Sequence, residues 1–477
     1  MKDYLKIAGL TAISLAVGLS PTPAGANNIG LDPSLQNEFS VKAFATGLDF
    51  PDGITQLNDG SLVVGTTEGN GFYDPNAKGQ LVRLQDNGSG TATKTILYDG
   101  TLAGNNLSGG ISAISTVNDY LFVTSGEGNS RNISVFQTGA NFSANSLTLK
   151  GSLDFSFPTN YIHSTYSEAF RQTGAGQFEL YFNVGSATNN IATAVPSGVT
   201  VSGTGFNLPS TQLNGDALYK IPFSIGSQLN FGQPVEVGMG LRNAAALAFD
   251  SAGNLYIGDN GIDGLPPANP SNATTSDSLY RLTPAQLASE NVYKFGFPNS
   301  GAKAGSPGVF VDGNGNIVSK DPSALNALAY FQPIPDPTTG FKSQGLAAIA
   351  LAPTAFPTGL NNGAFVGFFG RFAPVPGQDS LNPLLYYDFQ TGQYLDFLST
   401  NQGGNYGHFT SLLSNQNSLF AVDIGTGNFF SSASLGSGTI YQITSAQSVP
   451  EPFTIVGTLI GGAAALRIRK KLKAIAD

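Results

Sequence analysis

Apolar residues in this chain fall in short runs broken by Gly, Asn, Asp and Ser, and the runs follow a fixed order. The fullest example, residues 240–261, reads GLRNAAALAFDSAGNLYIGDNG: an apolar strand over 244–249, a turn at Asp250-Ser251-Ala252-Gly253, and a second strand over 254–258. Asp opens that turn, and Gly supplies the positive φ a tight hairpin needs. A third strand, 278–282, reads SLYRL. The same unit recurs about six times between roughly residues 35 and 445. The first copy is 52–54, 58–65 and 79–84; the second is 110–114, 118–126 and 132–136; the third is 167–170, 178–186 and 217–221. The fifth is 345–350, 363–367 and 384–389, and the sixth is 408–412, 418–425 and 438–443.

A period-two pattern repeated in one internal order predicts an all-β fold, a six-bladed β-propeller, rather than a sandwich. Residues 38–44 (EFSVKAF) precede the first copy and resemble the strand at 235–237; they are expected to supply the outer strand of the last blade and close the ring. Long insertions lie at 191–212, 263–277 and 294–341, and the one helix expected in the body is 284–288. A two-domain β protein is the competing architecture.

Composition agrees with a turn-rich β fold: of 477 residues 60 are Gly, and 33 Phe with 17 Tyr furnish a core without any Trp. The net charge of −9 and the lack of a basic cluster in the body exclude a nucleic-acid footprint. With no Cys and two His, disulfides, thiol catalysis and a His-rich metal centre are excluded.

Both ends read as addresses. Lys2 and Lys6, an apolar stretch over 7–19 and the small residues of 21–26 predict a signal peptide over 1–26. At the other end Val449-Pro450-Glu451-Pro452 is followed by apolar residues 453–466 and by Arg467, Arg469, Lys470, Lys471 and Lys473. This order resembles the PEP-CTERM sorting signal, over 449–477. The resemblance implies an exosortase-type processing enzyme as partner and transient anchoring through the C-terminal segment. The body, 27–448, is then expected in the periplasm or at the cell surface; a plain membrane anchor is the alternative.

Propeller sites form where loops enter the innermost strands. His163, Glu168, Arg171, Arg242, Lys342, Arg371 and His408 stand near such positions in a chain only 11% charged. Here Leu241-Arg242-Asn243 with Leu247-Ala248-Phe249-Asp250 and Gly258-Asp259-Asn260-Gly261, His163 with Leu180 to Ser186, Asp277 to Arg281 with Tyr293 to Pro298, and Phe368-Phe369-Gly370-Arg371 resemble the glucose/sorbosone dehydrogenase family. These are six-bladed propellers that use pyrroloquinoline quinone (PQQ). The resemblance implies His163 as general base toward a sugar hydroxyl, while hydride passes to PQQ. It implies Arg242 and Asn243 at the quinone oxygens, Lys342 and Arg371 at the cofactor carboxylates, and Gly261 and Asp277 at a structural calcium. The chain departs from the family pattern at Ala244 and Ala245 (Pro-Gln in the family), Ser278 (Glu) and Phe297 (Trp).

Two other functions stay open: a non-catalytic surface propeller binding glycan, envelope polysaccharide or protein, and a metal-dependent lactonase-type enzyme. The carboxylate and amide set for the last would be Glu168, Asn243 and Asp423. Asp312 to Asn316 (DGNGN) opens like a calcium loop, but Ser323 at its twelfth position favours a plain turn, and His408 reads as a satisfied polar group.

Overall fold

The computed structural model of the chain describes residues 30–139, 142–263, 274–332, 334–336, 340–370, 384–399, 408–425, 432 and 435–446. The expected signal peptide and sorting segment lie outside them. No helix among the described residues is long and apolar enough to cross a membrane.

Six antiparallel sheets carry the fold. From inside out, blade 1 is Asp52–Gln56, Leu62–Glu68, Lys78–Asp86 and Ala92–Asp99. Blade 2 is Ala113–Val117, Tyr120–Ser125, Ser130–Gln137 and Thr148–Ser156. Blade 3 is Glu168–Gly174, Gln177–Val184, Ala217–Ile225 and Val235–Met239. Blade 4 is Ala246–Phe249, Leu255–Asp259, Asp277–Leu282 and Ala329–Phe331. Blade 5 is Leu346–Leu351, Gly363–Phe368, Leu384–Asp388 and Tyr394–Ser399. Blade 6 is Phe409–Ser414, Ser418–Asp423 and Gly438–Ser445, completed by the N-terminal strand Phe39–Leu48.

Each innermost strand contacts the next around the ring, and that of blade 6 contacts that of blade 1. The architecture is therefore a closed six-bladed β-propeller, with blade 1 opposite blade 4. As expected, the segment before the first repeat closes it: Phe39 to Leu48 pairs antiparallel with Gly438 to Ser445. The expected helix forms over Pro284–Ala288, with a capping box between Thr283 and Gln286.

The core explains why the strands read as they do. Apolar clusters fill each junction between neighbouring blades. In the second strand of blade 1, Leu62 and Val64 pack toward blade 6 while Val63 packs toward blade 2. In blade 4, Leu255 and Ile257 face blade 3 and Tyr256 faces blade 5. Both faces of such a strand are buried, so its residues are apolar or small except at the end, where Glu68 and Asp259 stand.

The insertions build outer structure. Residues of the 191–212 stretch form Val199–Thr204, which with Thr211–Leu213 extends the neighbouring blade 2. The 294–341 stretch carries a small sheet, Gly301–Ala302, Phe310–Val311 and Ile317–Val318, whose Gly313 turn docks on Asn190 (Asn190 Nδ2 to Gly313 O, 2.8 Å). A Cβ at Gly313 would lie 1.8 Å from Asn190 O, so only glycine allows this approach.

Closure by Phe39–Leu48 gives the first expected result. Deleting that strand leaves the long Gly438–Ser445 edge unpaired and uncovers Phe420 and Val422 of the junction between blades 6 and 1. The truncated chain should aggregate, which size-exclusion chromatography would detect; a monodisperse product would contradict the closure.

Candidate functional site at the channel mouth

The innermost strands enclose a channel of about 470 Å³, lined by hydroxyls such as Thr55, Ser115, Ser167 and Ser411 and by Glu168. At its mouth, where chain segments enter those strands, lies a cavity of about 380 Å³. All six blades contribute: Asp52, Ser112, His163 with Tyr166, Arg242 with Asn243, Ser343 with Gly345, and Thr410. Phe72, Tyr73 and Phe369 supply aromatic walls, and Asn189, Asn260 and Asp263 supply polar ones. Tyr73 packs edge-on against Phe72 and Phe369.

His163 and Arg242 thus share one rim, as the sequence reading requires. His163 is buried, and its backbone N–H donates to Ser186 O (3.1 Å). Its Nδ1 lies 3.1 Å from Ser186 O and 2.9 Å from Ser186 Oγ. Ser186 Oγ gives its own hydrogen to Thr188 O (2.5 Å), so Nδ1 must carry the proton that binds Ser186. The tautomer follows: Nδ1 is protonated and Nε2, which has no partner among the described residues, carries a bare lone pair. Burial, then the Arg242 charge, hold the imidazole pKa well below its usual value, so His163 is neutral.

Arg242 is pre-oriented. Nε donates to Asn189 O (2.9 Å), and Nη2 donates to Asn189 Oδ1 and to Asp263 Oδ2 (3.1 Å). Nη1 has no partner among the described residues and belongs to a side chain that lines the cavity. The backbone beneath is pinned by Asp259, which accepts from the N–H groups of Arg242 (3.2 Å) and Asn243 (2.8 Å). The amide oxygens of Asn243 and Asn260 are buried without a hydrogen-bond partner among the described residues, and both residues line the cavity. The mouth therefore offers a neutral base, one guanidinium edge and two unmatched acceptors.

The expected calcium pair behaves otherwise. The Gly261 N–H, not its carbonyl, meets Asp277 Oδ1 (2.7 Å), and Ser343 Oγ (2.5 Å) and Leu346 N (3.2 Å) also donate to that carboxylate. Asp277 ties blade 4 to blade 5 with donors where a cation would need acceptors, so Gly261 and Asp277 do not fit calcium. Among the described residues no group of three or more His, Cys, Asp or Glu could hold a metal ion. Lys342 ends the strand Gly340–Lys342, next to cavity-lining Ser343. Arg371 lies outside the described residues, immediately after Phe369 and Gly370 of the cavity wall. For PQQ itself, the cavity and its aromatic walls fit a planar ring system, and the Arg242 Nη1 edge fits a quinone oxygen. Its carboxylates would rely on Lys342 and Arg371.

The lactonase-type set is not assembled. Glu168 lines the channel and not the mouth cavity, and its Oε2 accepts from Thr124 Oγ1 (2.8 Å). Asp423, on the second strand of blade 6, accepts from Gly425 N (3.0 Å) and does not line the mouth beside Asn243. Arg171 pairs with Glu179 on blade 3 (2.5 Å). His408 is buried and its Nδ1 donates to Phe369 O (2.5 Å), as a satisfied polar group would. Asp312 closes its own turn on Asn314 and Asn316.

Several residues here escaped the sequence reading: Asp52, Tyr73, Tyr166, Asn189, Asn260, Asp263 and, behind the lining, Arg131. Asp52, which opens the innermost strand of blade 1, and Asn260, which stands within Gly258 to Gly261, carried a readable signal.

Burial sets an expected pH dependence of stability. Desolvation raises the carboxyls of Asp52 and Asp259 to about 7, Glu168 to about 8 and Asp277 to about 6. A folded-state pKa above the unfolded value gives stability that is present below the unfolded pKa, near 4, and lost as pH rises through the folded one. Melting temperature should therefore fall by several degrees between about pH 5 and about pH 9. A rise over that window in thermal melts would contradict the protonated state of these groups.

No protein-family model matches the sequence, and no curated protein matches it. Solved structures do match. The PQQ-bound aldose sugar dehydrogenase of Streptomyces coelicolor is 17% identical over 86% of this chain and 99% of its own, with a TM-score of 0.51. The holo PQQ domain of pyranose dehydrogenase from Coprinopsis cinerea is 15% identical over 87% and 96%, with a TM-score of 0.51. The calcium structure of the Trichoderma reesei carbohydrate-active enzyme of family AA12 is 15% identical over 86% and 96%, with a TM-score of 0.52. At these identities the likeness establishes the fold, a propeller of the kind seen in PQQ-dependent sugar dehydrogenases.

Proposed function

We propose that the chain is an exported, envelope-associated sugar dehydrogenase that oxidises a sugar hydroxyl at the channel mouth, with PQQ as electron acceptor. One observation carries the reading: the neutral imidazole of His163, with Nε2 bare, shares a cavity with the oriented guanidinium of Arg242. PQQ, when bound, supplies a two-electron acceptor for the hydride leaving the sugar carbon. His163 Nε2 takes the hydroxyl proton, and Nδ1–H on Ser186 holds the ring in the tautomer that can do so. Arg242, fixed by Asn189 and Asp263, presents Nη1 to developing negative charge. Lys342 and Arg371 would hold the cofactor carboxylates, and Asn243 would donate from its amide Nδ2 to a quinone oxygen.

The likeness in fold to PQQ-bound sugar dehydrogenases supports this reading. The test is dye-linked oxidation of aldoses by the purified chain with added PQQ. Turnover that requires PQQ supports the proposal, and no turnover on any aldose overturns it. One observation favours a second reading, glycan binding without turnover: the described lining sets two carboxylates, Asp52 and Asp263, against one guanidinium. Sugar binding unaffected by PQQ and without oxidation would establish that alternative. For export, the reading rests on the two terminal segments, and mass spectrometry of the mature protein should find ends near residues 26 and 450.

A further inference from the structure

A second feature of the mouth is independent of His163 and Arg242. Asp52 opens the innermost strand of blade 1, across the ring from Arg242 and Asn243 of blade 4. The residue is only 6% exposed yet lines the cavity. The hydrogen bonds from Gly53 N (2.8 Å) and Ser411 Oγ (2.5 Å) both fall on Oδ1. Thr410 lines the cavity beside it, and its hydroxyl acts on the Asp52 carboxyl. One end of the mouth thus holds a guanidinium and an imidazole, and the other a carboxyl with a threonine hydroxyl next to it.

We infer that Asp52 reads the sugar: it accepts a ligand hydroxyl at the rim opposite Arg242 and selects neutral sugars over uronic acids. This rests on the sugar reading above. The groups facing Asp52 do not cancel its charge. Arg131, whose charge reaches Asp52, is paired with Glu127 (3.0 Å), a buried carboxyl that desolvation raises to about 7 and that titrates in the same range. Tyr73 and Tyr166 are neutral, their hydroxyl pKa values raised by burial. Ser411 and Thr410 are uncharged, and Arg242 is paired with Asp263. An acidic sugar seated at this rim would place its carboxylate against Asp52. Burial raises the Asp52 carboxyl to about 7, so the rejection sets in above neutrality and fades below it.

The experiment is calorimetric titration of the full chain with glucose and with glucuronate, at about pH 6 and about pH 8.5. Glucuronate stays ionised throughout, so only the protein changes. Its affinity should drop on the order of 10-fold between the two pH values, since each unit above the pKa depletes the neutral carboxyl tenfold. Glucose affinity should hardly move. Asp52→Asn, which is isosteric and keeps the Oδ1 acceptor, should abolish the drop. The wild-type pH series stands as a test even if that variant folds poorly. Glucose binding with equal, pH-independent glucuronate binding, or discrimination that survives Asp52→Asn, overturns the inference and leaves the sugar reading intact. Binding of neither sugar overturns the sugar reading and this inference with it.

Discussion

Replacing His163 by alanine should reduce sugar oxidation by roughly 10²- to 10⁴-fold, the contribution of one positioned general base. The loss should appear in kcat, because Nε2 meets the substrate proton in the transition state and contributes little to ground-state binding. The fold should survive. His163 makes its side-chain bonds to Ser186 alone, and Ser186 keeps its own bonds to Thr188 O (2.5 Å) and Arg242 O (2.7 Å). Melting temperature should therefore stay within a few degrees of the wild type. The lowered pKa adds a second signature: the imidazole should not gain a proton as pH falls through the usual histidine range near 6.5. Activity should show no loss there assignable to His163. A His163→Ala protein with undiminished kcat would remove the base from the proposal.

Replacing Arg131 by methionine should destabilise the chain by roughly 3–5 kcal/mol, the cost of stripping one partner from a buried ion pair. Arg131 is fully buried on the third strand of blade 2. Its guanidinium donates to Thr165 O (2.8 Å), Ser112 Oγ (2.7 Å), Gly126 O and Glu127 Oε1 (3.0 Å), and it lies 4.4 Å from the centre of the Tyr166 ring. Thr165 and Tyr166 lead into blade 3, so this one side chain fastens blade 2 to the segment that carries His163. Methionine would fill much of the space but leave the Glu127 carboxyl and several carbonyls buried without donors. Chemical denaturation should show the loss, together with weaker binding at the mouth. A change below about 1 kcal/mol would mean that water or a neighbouring group replaces the guanidinium.

The propeller was readable because its core lies between blades rather than within one sheet. Strands such as Leu255–Asp259 are buried on both faces, and their apolar runs recur six times in one order. His163 and Arg242 could be found because each stands just ahead of an innermost strand. Arg131 could not. It precedes no innermost strand, and its partners Thr165, Gly126 and Ser112 are mostly backbone or hydroxyl oxygens that only the fold brings to it. Asn189 and Asp263 escaped for the same reason, since one lies in the loop after Gln177–Val184 and the other opens an insertion, and they meet Arg242 across 53 and 21 residues of sequence. Glu168 shows the opposite failure. It sits as close to an innermost strand as Asn243 does, but it begins its strand and so lines the channel. Gly261 and Asp277 were paired correctly in space, yet the amide and not the carbonyl of Gly261 meets the carboxylate.

The central claim is that the mouth cavity takes a quinone cofactor beside a histidine base, and absorbance titration of the purified chain with PQQ tests it most directly. The account predicts saturable binding near one equivalent, a red-shifted cofactor band, and bleaching of that band when an aldose is added to the wild type but not to His163→Ala. Free-cofactor spectra at every ratio would contradict it.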